Sequence, residues 1–126
     1  MPMTQSVMRV GVMSPEAYKR RTLEIARGER ERGDQEPLVW FDSLKTLSEV
    51  LSDRNRALLG LIEAHQPQSL AELERLSGRK RSSLSRTLRT MERYGVVEIH
   101  RERNRVAPRA KATRFQVDLS TEADIA

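Results

Sequence analysis

The sequence predicts a fold of the α+β class that is mainly α-helical and carries one small β-hairpin. Three observations predict it. Short segments with helical spacing of apolar residues follow one another from Leu44 to Arg93, and capping serines or glycines separate them. The β-branched segment Val96–His100 comes directly after them and predicts a strand. A charged turn at 101–105 and a further apolar pair, Val106-Ala107, then predict the return strand of a hairpin, in which Pro108 is expected only at an edge or an end.

The composition limits the protein classes that need to be considered. A chain of 126 residues suffices for one domain with a modest core and a short extension. The absence of cysteine excludes disulfides, thiolate metal sites and cysteine nucleophiles. No apolar run approaches the roughly 18–20 residues that a membrane span needs, and the first residues lack the apolar core of a signal peptide. We therefore expect a soluble, cytoplasmic protein that does not bind a membrane.

The positive charge is concentrated in one part of the chain. The net charge is +5, but the segment 77–114 holds twelve lysines and arginines against three acids and so carries +9, which leaves −4 for the remainder. A localised basic block that favours arginine over lysine is typical of phosphate recognition. The alternative is an ordinary solvated charged face, and charge alone does not separate the two interpretations. The order of the surrounding elements favours the first.

The N-terminal third predicts one strand or arm and one polar helix. Gln5–Val12 alternates loosely between apolar and polar residues. Ser14 is a good N-cap and is followed by a proline and an acid, so a helix is expected from there to about Arg32, with Gly33 as its stop. Its thin apolar content indicates a helix that is half-buried or packs on a partner chain.

The segment Leu38–Phe41 carries the only tryptophan and is expected to plug the core. We assign residues 1–41 as an N-terminal arm and helix that serves dimerisation or partner binding.

The middle of the chain predicts four helices in close succession. They are Leu44–Leu51, capped by Asp42 or Ser43; about Arg54–His65, capped by Ser52 or Asp53; Leu70–Leu76, capped by Ser69; and about Arg81–Arg93. Two short helices joined by a tight turn that contains Gly78 form a helix-turn-helix, and a hairpin that follows directly is a wing. The sequence thus predicts a winged helix-turn-helix over residues 42–119, with a further strand at 113–119 and a frayed tail at 120–126.

The last of these helices has one face suited to DNA. The face opposite its apolar residues Leu84, Leu88 and Met91 holds no acid and no large apolar group. Small hydroxyls allow close approach, and arginine binds guanine bidentately. The predicted base-reading residues are Ser82, Ser83, Ser85, Arg86 and Arg89. The predicted phosphate-contacting and wing residues are Arg79, Lys80, Arg81, Arg93, Arg101, Arg103, Asn104 and Arg105.

Nothing in the sequence indicates an enzyme, a metal site or a cofactor. His65 and His100 are far apart and have no carboxylate cluster beside them. No glycine-rich phosphate-binding loop is present. We expect neither catalytic residues nor a bound cofactor.

Two runs of residues carry a family resemblance. Leu70-Ala-Glu-Leu, followed by Ser83-Leu-Ser-Arg-Thr-Leu-Arg-Thr-Met-Glu-Arg-Tyr-Gly-Val-Val, resembles the helix-turn-helix and strand entry of MarR-like winged regulators. The stretch from Ser14 to Leu51, with Trp40-Phe-Asp-Ser-Leu, is similar to small prokaryotic predicted regulators often encoded beside toxin genes. That resemblance implies a repressor that is also an antitoxin. The chain departs from the pattern at Glu74, where many helix-turn-helix proteins have a small residue, and it lacks the long terminal helices of full-size MarR proteins.

Three functions follow as hypotheses. The first is a sequence-specific transcriptional regulator that binds double-stranded DNA as a homodimer and represses its own promoter. The second is an antitoxin that masks a cognate toxin with residues 1–41 and represses its operon. The third is a winged-helix interaction or RNA-binding module. RNA binding would require stacking aromatics on the basic face, whereas Tyr94 and Phe115, the aromatics of that region, are expected in the core or at a helix cap.

Overall fold

A computed structural model describes residues 7–34 and 36–120. These residues form five helices and two small sheets. In chain order the elements are β1 Val7–Val12, α1 Pro15–Ala26, β2 Val39–Phe41, α2 Leu44–Val50, α3 Asp53–His65, α4 Leu70–Ser77, α5 Arg81–Arg93, β3 Val97–Glu102, β4 Arg105–Ala110 and β5 Arg114–Asp118. The predicted α+β class is confirmed. No helix in these ranges is long and apolar enough to cross a membrane.

Serine side chains start four of the helices. Ser14, Ser43, Ser52 and Ser69 each accept a hydrogen bond from the backbone N–H three residues further on, at 3.1–3.2 Å. Each bond satisfies one of the N–H groups that the first turn of a helix leaves without a backbone partner. Where two caps were expected as alternatives, the serine takes the position rather than the neighbouring aspartate.

Helices α4 and α5 form the predicted helix-turn-helix. Gly78 ends α4 in the left-handed region, with φ of 73°, and its N–H donates to the carbonyl of Glu74 at 2.9 Å. After a three-residue turn, α5 buries Leu84, Leu88 and Met91 in the core. Because the β3–β4 hairpin follows α5 directly, the arrangement is that of a winged helix-turn-helix, as predicted.

The wing is a two-stranded antiparallel hairpin. Its register runs from Val97 opposite Ala110 to Glu102 opposite Arg105, so that only Arg103 and Asn104 remain in the loop. Pro108 lies within β4 and is buried. A proline is tolerated there because each strand of a two-stranded sheet has an open edge, which needs no N–H.

The second sheet is parallel and was not expected. Its strand order is β2-β1-β5, and β1 pairs in parallel with both neighbours. The segment 113–119 does form a strand, but β5 pairs with β1 and not with the wing. One face of this sheet buries Met8, Val10 and Phe41 in the core shared with α2–α5. The sheet therefore joins residues on both sides of the boundary proposed between 1–41 and 42–119.

A close contact on the outer face of this sheet fixes β2. A Cβ atom on Gly11 would lie 2.6 Å from Trp40 Cζ3 and 2.9 Å from Pro37 Cγ, so only glycine fits beneath the indole. The Arg21 guanidinium lies 5.4 Å from the centroid of the Trp40 ring. Trp40 thus covers the sheet. The expected core plug holds for Phe41, and half-buried Val39 packs against the same core, whereas Leu38 is 77% exposed.

The predicted end of α1 is wrong. The helix stops at Ala26 rather than near Arg32, and Gly28, with φ of 76°, takes the left-handed conformation that was expected of Gly33. Residues 27–32 contain no apolar side chain, so a longer helix would have buried nothing. The six N-terminal residues, Gln35 and the segment 121–126 lie outside the described residues, as do the start of the predicted strand Gln5–Val12 and most of the predicted frayed tail.

An aromatic pair joins the parallel sheet to the end of α5. The rings of Phe41 and Tyr94 are stacked, with centroids 4.5 Å apart and planes 19° apart. Phe41 is the last residue of β2, and Tyr94 is the C-cap of α5. The sheet therefore holds one end of α5, while α4 holds the other.

Candidate nucleic-acid interface

The face of α5 that points away from the core is polar and basic. Leu84, Leu88 and Met91 anchor the helix on its buried side. The opposite face, called the open face of α5 below, exposes Ser82, Arg86, Arg89 and Arg93. Ser83 and Ser85 are half-buried at its flanks. The structure thus brings every predicted base-reading residue onto one helix.

The exposed arginines of α5 divide between two flanks of the helix. Ser85 and Arg89 line a cavity of about 180 Å³ between α5 and the wing, which has the apolar side chains of Leu70 and Ile99 in its wall. Arg86 and Arg93 line the groove on the other flank, beside α2. The residues predicted to read bases therefore reach both flanks of the open face.

The start of α5 differs from the starts of the other helices. Lys80 is its N-cap and makes no side-chain capping bond, whereas α1–α4 all have a serine cap that does. Arg79, Lys80 and Arg81 place positive charge at the positive end of the helix dipole, which disfavours the free helix. The same amides and side chains suit an anion such as a phosphate oxygen.

Arg79 is not fully available for a phosphate. Its guanidinium donates to Asn55 Oδ1 at 3.1 Å and to Thr87 Oγ1 at 2.9 Å, so it links α3 to α5. Burial first, and the nearby Arg54 second, lower the pKa of Arg79. An arginine remains protonated in spite of such a shift. Its first role is to hold the turn against α3, a role the sequence did not reveal.

The other two cations of the turn are exposed. Arg81 donates to Glu74 Oε1 at 3.2 Å, and Lys80 lies in solvent beside it. Glu74 is the residue that departs from the usual helix-turn-helix pattern. Its carboxylate bonds Arg81 at the surface, and the turn at Gly78 closes normally.

The wing is tied to α5 by an ion pair. Arg101 Nη1 and Nη2 donate to the two carboxylate oxygens of Glu92, each at 3.1 Å. The hydrogen bond from Arg101 is the main reason that the pKa of Glu92 is lowered, and the same bond raises the pKa of Arg101. Arg101 therefore anchors the wing within the molecule. The sequence did not indicate this pair, because the two residues are nine positions apart and lie on different elements.

The tip of the wing carries the remaining predicted contacts. Arg103, Asn104 and Arg105 are exposed, and Arg105 donates to Glu102 at 3.3 Å. Arg103 has φ of 47°, the left-handed region that a non-glycine residue seldom adopts. At the base of the wing, Arg109 Nη1 donates to the carbonyl of Pro67 at 2.8 Å and joins β4 to the α3–α4 connection.

The two histidines lie on different elements, one at the end of α3 and one on β3. His100 Nε2 lies 3.1 Å from Glu98 Oε1, and His65 is exposed near the end of α3. Within residues 7–34 and 36–120, no group of three histidine, cysteine, aspartate or glutamate residues could hold a metal ion.

Comparison with known proteins places the chain in a family. The model of the HVO_A0114 family matches residues 50–117, which span α3 to β5 and more than half of the chain. The chain belongs to the HVO_A0114 family. The matched region of this family member contains the helix-turn-helix, the wing and every predicted site residue.

The chain was also compared with solved structures and with curated proteins. The chain is similar to a solved structure described as the predicted DNA-binding transcriptional regulator from E. coli, with 20% sequence identity and a TM-score of 0.45 over 75% of this chain and 82% of that one. Among curated proteins, none matches the chain.

Proposed function

We propose that this protein is a sequence-specific regulator of transcription that binds double-stranded DNA with α5 in the major groove. The observation that carries the proposal is the open face of α5, where Ser82, Arg86, Arg89 and Arg93 are exposed together on a helix whose opposite side is fixed in the core. The major groove is wide enough for one helix, and arginine and small hydroxyl side chains match the base edges presented there.

The start of α5 supports the same proposal. Four helices begin with a serine cap, but this one begins with three cations and no side-chain cap. That choice costs stability in the free protein, because like charges meet at the helix end. Residues that break a local stability rule are expected at functional sites. A DNA phosphate bound at Lys80 and Arg81 would supply the missing negative charge and accept hydrogen bonds from the first-turn amides.

The wing adds a second contact at a set distance from α5. Because Glu92 and Arg101 tie β3 to α5, the tip at Arg103 and Asn104 keeps its position relative to the open face. An arginine at a hairpin tip fits a narrow minor groove, where the negative potential is strongest. In this arrangement Arg86 and Arg89 read bases, while Lys80, Arg93 and Arg103 position the protein on the backbone.

The proposal extends to a homodimer that represses its own promoter. A dimer places one α5 in each half-site of a palindrome about one turn of DNA apart. Occupying the promoter would then block transcription.

The test is a titration followed by fluorescence anisotropy. The pure protein is added to a duplex from its own upstream region and to a scrambled duplex of equal length, at two salt concentrations. We expect tight, salt-sensitive binding that favours the upstream duplex, because phosphate contacts release counterions and base contacts discriminate. Equal and weak binding to both duplexes would contradict sequence-specific autoregulation.

A second candidate function is the neutralisation of a toxin by residues 1–41. The observation that favours it is that the polar helix α1 leaves Tyr18 and Leu23 exposed. Deleting residues 1–37 does not test it, because β1 is the central strand of the parallel sheet. A variant with Tyr18→Ala and Leu23→Ala, assayed for co-purification with the product of the adjacent gene, does. We expect lost co-purification with unchanged DNA affinity; retention of the complex would count against this role for α1.

A further inference from the structure

Strand β5 lies at one edge of the parallel sheet that the described residues form. Among the described residues β5 pairs with β1 on one side and with no strand on the other. Two apolar residues at this end of the chain are exposed, Val117 at 46% and Leu119 at 54%. A strand at the edge of a sheet, with exposed apolar side chains beside it, is a template for a further strand. The opposite edge of the sheet offers much less, since β2 has only three residues.

The sequence of β5 is complementary to itself when it runs antiparallel. The strand reads Arg114-Phe-Gln-Val-Asp118, with opposite charges at its two ends and Gln116 at its centre. In a two-fold pairing centred on Gln116, Arg114 of each copy faces Asp118 of the other, and Phe115 faces Val117. Because side chains alternate along a strand, the charged pairs share the outer face and the apolar pairs share the inner face, beside Met8 and Val10.

From this edge we infer that two copies of the chain pair through β5. Their two sheets then form one sheet of six strands, in which the two central β5 strands run antiparallel. This pairing would be the interface of the homodimer proposed above. Only its role in DNA binding rests on the proposed function. Opposite charges and an aromatic residue facing a β-branched one are both favourable cross-strand pairs. A parallel pairing would instead set Arg114 against Arg114 and Asp118 against Asp118.

The contact is small, which sets the expected strength. Five paired residues and the apolar side chains beside them bury less surface than a standard interface of roughly 1,200–2,000 Å². We therefore expect a reversible dimer, with a dissociation constant on the order of micromolar, rather than an obligate one. Two-fold DNA sites would strengthen it by holding both copies together.

Charge reversal tests the pairing by analytical ultracentrifugation without DNA. Arg114→Asp and Asp118→Arg each set like charges opposite one another in the self-dimer, so each variant alone should be monomeric at concentrations where the parent is dimeric. The double variant restores both charge pairs and should dimerise again. An equimolar mixture of the two single variants should form a heterodimer, because each chain then meets the opposite charge.

A cysteine probe tests the register independently and needs no change of charge in β5. The chain has no cysteine. In the proposed dimer the two Gln116 Cα atoms lie about 4.5–5.5 Å apart, within disulfide range, so Gln116→Cys should form a covalent dimer under mild oxidation. Arg9→Cys is the matched control, because Arg9 is the register partner of Gln116 on β1. Its two copies would lie about 14 Å apart, three strand spacings, and should not cross-link.

The outcomes separate this inference from the proposed function. A parent that stays monomeric up to about 100 μM, single variants that dimerise like the parent, or cross-linking of Arg9→Cys equal to that of Gln116→Cys would each overturn the β5 pairing. Should a charge variant fail to fold by circular dichroism, the cysteine pair decides. Dimerisation as described in a protein that binds no DNA would leave the β5 interface standing and remove the proposed regulator function.

Discussion

Arg101 on the first strand of the wing and Glu92 near the end of α5 are joined by two hydrogen bonds of 3.1 Å, one to each carboxylate oxygen. Two parallel bonds between a planar guanidinium and a carboxylate fix direction as well as distance. The pair therefore sets the angle of the wing relative to the open face of α5. It also neutralises an acid that would otherwise lie beside the proposed DNA-contacting surface.

The first prediction concerns the pH dependence of this pair. Because the bond from Arg101 lowers the pKa of Glu92, the pair stabilises the wing fully above the ordinary glutamate pKa of about 4.3, and its contribution is lost as pH falls through the lowered value. NMR titration of the Glu92 carboxyl should show the low pKa, and Arg101→Gln should return it toward the ordinary value. Arg105→Gln, which removes a different wing arginine, should leave that titration unchanged; if both variants shift it equally, the pair is not its cause.

The second prediction concerns base reading by Arg86. Replacing it with alanine should weaken binding to the specific duplex by about 1–3 kcal/mol and binding to the scrambled duplex much less. The specific duplex loses a base contact as well as the charge of Arg86, whereas the scrambled duplex loses only the charge. The measurement is anisotropy on both duplexes. Arg20→Ala, an exposed arginine of α1, removes the same charge from another element and is the control. Equal losses for Arg86→Ala on the two duplexes would reduce Arg86 to a phosphate contact.

The third prediction separates affinity from stability at the wing tip. Arg103→Asn removes a charge but suits the left-handed conformation, which asparagine tolerates better than arginine. We expect a Tm no lower than that of the parent, weaker binding to every duplex by a similar factor, and a salt slope reduced in magnitude by about 0.9. Lys80→Ala should have the same effect on DNA. An unchanged salt slope in both variants would show that neither contacts a phosphate.

The fourth prediction uses two glycines with opposite expected effects. Gly11→Ala should destabilise the protein by about 1–3 kcal/mol, because the new methyl group would meet the Trp40 ring at 2.6 Å. Gly60→Ala should stabilise it by about 0.5–1 kcal/mol, since Gly60 lies inside α3 with nothing within 4 Å of the added carbon. Urea unfolding measures both. Equal effects of the two substitutions would contradict the packing of Trp40 on β1.

The part of the fold with local signals was predictable from the sequence. Capping serines, the Leu84–Leu88–Met91 stripe and the glycine at the helix-turn-helix junction each act within a few residues, so α2 to α5 and β3 appear with bounds close to those expected. The end of α1 was missed although a signal existed. Residues 27–32 contain no apolar side chain, so a longer helix would have none to bury there. The missing burial outweighs the helix-forming tendency of these polar residues.

Long-range partners were not predictable in the same way. The strand tendency of Arg114–Asp118 is visible in its alternation, but nothing local decides between the wing and β1 as its neighbour. The same limit applies within the site. Arg79 and Arg101 were assigned to DNA by their charge, whereas Asn55, Thr87 and Glu92 engage them within the protein. Those partners become neighbours only when the helices pack.

The central position of β1 has a consequence for the timing of folding. The residues of β5 are synthesised about a hundred residues after those of β1, so the parallel sheet cannot close until nearly all of the described chain has left the ribosome. Helices α2 to α5 and the wing depend on much nearer contacts and can assemble first. During that interval β1 has only the three-residue β2 as a partner, so its second edge is exposed to other nascent chains.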